Sequence, residues 1–119
     1  MDEIDEIRLT LPALASYARV ARLALSGVAA RFGWTYDDLV DLRIVIGEVF
    51  AVLVTPERAQ LTLRFTLDEK TMALEAFRDP AAPDLAVTEL TRQIISAVVD
   101  QAEIDDHRAH IRVVKQRGT

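Results

Sequence analysis

The sequence predicts an α+β fold: a two-layer sandwich in which a mixed, mostly antiparallel sheet is covered on one face by three helices. Two kinds of pattern predict it. Residues 6–11 and 61–67 alternate apolar with polar, the period of a strand that buries one face, and 71–77 follow as the second strand of a hairpin. Residues 13–32, 35–55 and 87–99 carry apolar side chains at helical spacing. The resulting order, β-α-α-β-β-α-β-β, supplies strands with one apolar face and the helices needed to cover it. At 119 residues the chain is expected to form one domain, 1–119, with a modest core.

The first strand is EIRLTL, Glu6 to Leu11. Ile7, Leu9 and Leu11 share one face, and Glu6, Arg8 and Thr10 the other. Pro12 ends it and suits the first turn of a following helix. Ala13 to Phe32 is rich in Ala, Leu and Arg, all good helix formers. Its expected buried stripe is Val20, Leu23, Ala24, Gly27 and Val28, with Gly33 closing the helix. WTYDDL opens the second helix: Thr35 can cap the amide of Asp38, Asp37 and Asp38 favour the helix dipole, and Trp34 and Leu39 take the staple positions. Leu39, Leu42, Ile46, Val49 and Leu53 give its core face, and Pro56 stops it near Thr55.

LTLRFTL, the turn DEK, and TMALEAF read as a hairpin. DPAAPD, Asp79 to Asp84, reads as a loop. Val87 to Val99 reads as a third helix with Val87, Leu90, Ile94 and Val98 inward. QAEID and HIRVVKQ close the chain as two strands joined around Asp106 to Arg108.

Half of the residues are apolar, which places the chain among globular proteins. No apolar run approaches the ~20 residues of a membrane span, and MDEIDEIRL is acidic where a secretory signal would be basic and then apolar. The absence of cysteine excludes disulfides and thiolate metal sites and fits a cytoplasmic location. A net charge of -5 argues against nucleic acid as a partner.

Few side chains invite chemistry. His107 and His110 lack a carboxylate and histidine spacing that would hold a metal, and are expected at the surface. Ser16, Ser26 and Ser96 lie in helices without a nucleophile elbow. Asp37 and Asp38 are explained by the helix dipole. Asp41 and Glu48 are seven apart on one helix, with Ile44 between them, and form its acidic edge. The glycines are Gly27, Gly33, Gly47 and Gly118, so no loop between Glu48 and Arg117 can cradle a phosphate on glycine backbone.

Three stretches carry a family resemblance. IRLTLPALASYARVARLAL resembles the opening strand, proline and first helix of the small anti-sigma-factor serine kinases, members of the histidine-kinase and Hsp90-like ATPase superfamily. DDLVDLRIVIGEVFAVLV is similar to the helix carrying that family's Glu-x-x-x-Asn motif. LTRQIISAVVDQAEIDDHRAHIRVVKQR resembles its last helix and closing strands. The resemblance covers most of the chain and implies the histidine kinase-like ATPase fold.

Residue by residue, it puts Glu48 at the glutamate that activates the attacking hydroxyl. Val52 falls where the family has its magnesium-holding asparagine, and a valine offers no oxygen to magnesium. Asp79 matches the adenine-binding aspartate, while Ala81 and Pro83 replace both glycines of Asp-x-Gly-x-Gly, and the glycine-rich lid is missing. The resemblance therefore implies a regulator that binds partners through a scaffold whose ATP site is largely lost, with no cofactor. ATP and magnesium enter only if the pocket still functions. The expected partners are a sigma factor, an anti-anti-sigma (STAS) protein and a second copy, with Arg19, Arg22 and Asp41 as partner-binding residues. The alternative is a divergent serine/threonine protein kinase that phosphorylates the STAS partner. A third reading is a subunit that pairs with an active homologue.

Overall fold

A computed structural model of the protein describes residues 5–117. The chain runs β1 (Asp5–Pro12), a short 3-10 turn (Ala15–Tyr17), α1 (Ala18–Arg31), α2 (Tyr36–Leu53), β2 (Gln60–Leu67), β3 (Thr71–Asp79), α3 (Glu89–Val98), β4 (Gln101–Asp105) and β5 (His110–Gln116). The strands form one sheet in the order β1-β2-β3-β5-β4. All four pairings are antiparallel, so the mostly antiparallel sheet expected from the sequence is wholly so among the described residues.

The sheet's period of two divides its side chains. Leu61, Leu63, Phe65 and Leu67 of β2, Met72, Leu74 and Ala76 of β3, and Ile111 and Val113 of β5 are buried together with the helices. The opposite face is laced with charge. Arg64 of β2 donates to Glu75 of β3 at 2.9 Å, and His110 Nε2 and Arg112 Nε of β5 lie 3.6 and 4.0 Å from the same carboxylate. Burial pushes the Glu75 carboxyl up, but the hydrogen bonds and charges of Arg64 and His110 outweigh it and hold the group below its ordinary 4.5.

α2 begins as its sequence specifies. Thr35 Oγ1 accepts from the Asp38 amide at 3.2 Å, and Asp38 reaches back to the Thr35 amide, completing a capping box. Leu42, Val45, Ile46, Val49, Phe50 and Leu53 are buried along its length. The hairpin turn is held by Asp68, whose carboxylate accepts from the amides of Lys70 and Thr71 at 2.7 and 2.8 Å. Gly33 ends α1 at φ 78°, the left-handed conformation that favours glycine, and the Arg117 guanidinium donates to the carbonyls of Phe32 and Gly33 there.

Two helix readings need correction. α1 starts at Ala18 rather than Ala13. The Ala13 amide donates to Ala59 and its carbonyl accepts from Thr55, so Ala13 is committed to the neighbouring segment. The buried stripe of α1 is Ala18, Ala21, Leu25 and Ala29. Val20 and Leu23, expected inside, are 44% and 65% exposed. Small alanines let α1 approach α2 closely, and the larger residues turn outward. In α3 the same thing happens on a smaller scale: Ile95 is buried, Ile94 and Val98 are half-buried, and Leu90 is exposed.

Candidate functional site

Glu48 lies midway along α2 and is half-buried. Thr91, in the first turn of α3, donates its hydroxyl to Glu48 Oε2 at 3.2 Å, so the carboxylate joins the two helices. One turn on, Val52 is 8% exposed and belongs to the core. Asp79, at the end of β3, is exposed and lines a cavity of about 450 Å³ with Pro12, Arg58, Ala59 and Gln60. Glu48 lines another cavity, of similar volume, with Arg22, Val40, Arg43, Ile44 and Gly47. The two share no residue, so Glu48 and Asp79 are not brought into one pocket.

Next to Asp79 in β3 stands Arg78, which the sequence reading passed over. It is 4% exposed. Its guanidinium donates to the carbonyls of Leu53 at 3.1 Å, Pro80 at 3.2 Å, Ala81 at 2.7 Å, and Pro83. Leu53 is the last residue of α2, where the helix leaves carbonyls without intrahelical partners and the dipole is negative. One cation therefore ties the 79–83 loop to the end of α2. The signal was present in the alternation of β3: Met72, Leu74, Ala76 and Arg78 fall on one face, and Arg78 is the charged member of the inward row.

Lys115 repeats the pattern on β5, on the same face as Ile111 and Val113. It is buried and donates to Asp41 Oδ2 of α2 and to the Val98 carbonyl at the end of α3, both at 3.2 Å. The acidic edge of α2 is thus engaged within the fold at both ends, Asp41 by Lys115 and Glu48 by Thr91.

α2 also meets α1 in a cationic groove. Arg19, Arg22, Leu23, Ser26 and Arg43 line a cleft of about 460 Å³. It continues into the cavity beside Glu48 through Arg22 and Arg43, which line both. Among the described residues, Arg19, Arg22 and Arg43 find no carboxylate partner. Leu14, Tyr17, Val20, Leu23 and Ile44 are exposed on the same two helices and the turn before them. In a chain of net charge -5, unpaired arginines among exposed apolar side chains mark a surface suited to recognition.

His107 is exposed and pairs with Asp84 at 2.9 Å, and His110 is half-buried on the open sheet face. Among the described residues no group of three or more His, Cys, Asp or Glu could hold a metal ion, and no helix is long and apolar enough to cross a membrane.

No family model matches the chain. Curated proteins do. The chain is 49% identical over 45 residues to the serine-protein kinase RsbW of Bacillus velezensis, covering 38% of this chain and 28% of that protein. It is 32% identical over 80 residues to the protein of the same name from Bacillus cereus, covering 64% and 50%. With that of Halalkalibacterium halodurans it is 29% identical over 124 residues, covering 86% and 76%. The chain thus spans half or less of the first two relatives and about three quarters of the third.

Proposed function

We propose that the chain is a member of the family of the serine-protein kinases it resembles and that it is a regulator acting by protein–protein contact, its family's ATP site largely lost. The observation that carries the proposal is Val52. At the position of the family's magnesium ligand stands a buried aliphatic side chain with no oxygen to offer. Other features support it. Glu48 and Asp79 line separate cavities. The loop that would carry the glycines, Asp79 to Asp84, contains none and is drawn onto α2 by a buried guanidinium. These residues do not fit ATP and magnesium, on whose positioned phosphates and metal charge phosphoryl transfer depends.

The partners this reading names are a sigma factor and an anti-anti-sigma (STAS) protein, with the chain acting alone or as a homodimer in the cytoplasm. Its contact surface is the α1–α2 groove, with Arg19 and Arg22 as recognition cations. Asp41, which the sequence reading grouped with them, serves the fold through Lys115.

A second reading has its own support. The relatives are named serine-protein kinases, and Glu48 is retained. It makes the chain a divergent kinase that uses ATP to phosphorylate a STAS partner. Titration with ATP and magnesium, followed by melting temperature, separates the two. The regulator gives no shift at millimolar ATP, and Glu48→Gln leaves capture of a sigma factor intact. A shift that saturates with ATP and disappears in Asp79→Asn establishes the kinase reading instead.

A further inference from the structure

β1 is an edge of the sheet and packs chiefly on β2. Its backbone groups alternate between two sides. The Ala13 amide donates to the Ala59 carbonyl at 3.0 Å, one step beyond the registered pair of Pro12 and Gln60. In an antiparallel ladder, directly opposite residues exchange hydrogen bonds at every second pair. The odd residues of β1 therefore turn their backbone groups to β2, and Glu6, Arg8 and Thr10 turn theirs to the open edge. The far side of β2 gives the same phase. The Asp68 amide donates to the Thr71 carbonyl, so the even residues of β2 serve β3 and the odd ones serve β1. Among the described residues nothing bonds to the N–H and C=O groups of Glu6, Arg8 and Thr10 on the open side. The side chains of the strand are also incompletely covered. Ile7, Leu9 and Leu11 are only half-buried, whereas Phe65, Leu63 and Leu61, opposite them in β2, are buried. The other edge, β4, is five residues long and β1 is eight. Shortness is one way an edge avoids taking on a further strand, and β1 does not have it.

We infer that the open edge of β1 is a docking site for an extended segment of a partner protein, which joins the sheet as a further strand. This goes beyond the α1–α2 contact surface and does not depend on it. Main-chain bonds to Glu6, Arg8 and Thr10 supply the affinity, and side chains supply the choice of segment. Register places Glu103, Arg112, Glu75, Arg64 and Arg8 in one row across the outer face of the sheet. Their charges alternate until the last step, where Arg64 and Arg8 stand directly opposite each other. Arg8 has only Glu6 of its own strand, at 3.1 Å, as an ion-pair partner among the described residues. An acidic residue on the far side of Arg8 continues the alternation, because opposite charges across strands stabilise and like charges do not. Its neighbours on the added strand cover Ile7 and Leu9, so the segment reads apolar, acid, apolar. A second copy of β1 does not meet this requirement. Antiparallel pairing that sets Arg8 against Glu6 also pairs Leu9 with the acidic residue Asp5. Centring the pair on Arg8 sets two arginines opposite each other. Centring it on Leu9 leaves Arg8 against Thr10 and pairs Glu6 with Pro12, which has no N–H to donate.

The test uses the full chain and a short, capped, fluorescein-labelled peptide that alternates valine and threonine, with glutamate in place of the central threonine. A twin carries arginine there. Fluorescence anisotropy is expected to show the glutamate peptide binding roughly five-fold tighter than its twin, and Arg8→Glu is expected to reverse the order. N-methylation of the peptide amides that face β1 is expected to abolish binding, while methylation of the alternate set leaves it, since only one side of a strand meets the edge. Hydrogen exchange followed by NMR reads the site directly. In the free chain the amides of Arg8 and Thr10 are expected to exchange quickly beside protected Leu9 and Leu11, and saturating peptide is expected to slow them. Thr10→Pro removes an edge N–H without touching the ladder to β2 and is expected to weaken binding roughly ten-fold. Melting temperature is followed in parallel, and Arg8→Glu carries the test where Thr10→Pro does not fold. Three results overturn the proposal: no binding at millimolar peptide, binding indifferent to which amides are methylated, or binding without protection of Arg8 and Thr10. Protection that grows with protein concentration in the absence of peptide assigns the edge to a second copy and overturns it too. The ATP titration decides the regulator reading separately, and neither result alters the other.

Discussion

Arg78 and Lys115 have the same origin, a charged residue at an inward position near the end of a strand. Each is buried because the strand's alternation puts it there, and each is tolerated because carbonyls or a carboxylate meet its donors. For Arg78 the acceptors are four backbone carbonyls, three of them in the loop after β3. Arg78→Met removes the donors and leaves buried acceptors at the end of α2. It is expected to cost about 2–4 kcal/mol in urea unfolding and to speed amide exchange in residues 79–85. Glu75 gives a second test at this scale. Its folded carboxyl titrates below its ordinary 4.5. That stabilisation is therefore present above about pH 4.5 and is lost as pH falls through the lower, folded value. The wild-type advantage in melting temperature over Glu75→Gln is expected to be constant near neutrality and to shrink steadily below pH 4.5. An advantage unchanged down to pH 3 contradicts the assignment.

At the scale of elements, strands were more legible than helices. β2 buries Leu61, Leu63, Phe65 and Leu67 as its alternation requires, because a period of two admits two faces and the apolar one goes inward. A helix offers a continuous range of faces. α1 carries apolar residues nearly all round, so its sequence permits several stripes, and the alanine stripe wins because it fits closest against its neighbours. The start of α2 was readable because capping is local chemistry. Thr35→Ala removes the acceptor for the Asp38 amide and is expected to cost about 1 kcal/mol of unfolding free energy. Retention of full stability in that variant shows that water replaces the cap.

For the whole molecule, order and layering follow from the sequence. Strands with one apolar face must be covered, the helices supply apolar surface, and the chain is long enough for one such sandwich. Glu48 stood out as a lone acid in an apolar stretch of α2, while Val52 and Asp79 were singled out only by the family resemblance. By itself, then, the sequence determined the α+β sandwich, the hairpin and the α2 cap. Tertiary structure alone decided which face of α1 turns outward, that Glu48 and Asp79 line different cavities, that Arg78 closes the loop beside Asp79, and that Asp41 serves Lys115 while Arg19, Arg22 and Arg43 line neighbouring clefts without forming an ion pair among the described residues. The physical reason is range. Periodicity, capping and turns act within a few residues, whereas the pairing of a charge depends on which distant backbone or side chain the packing of layers brings within about 3 Å of it.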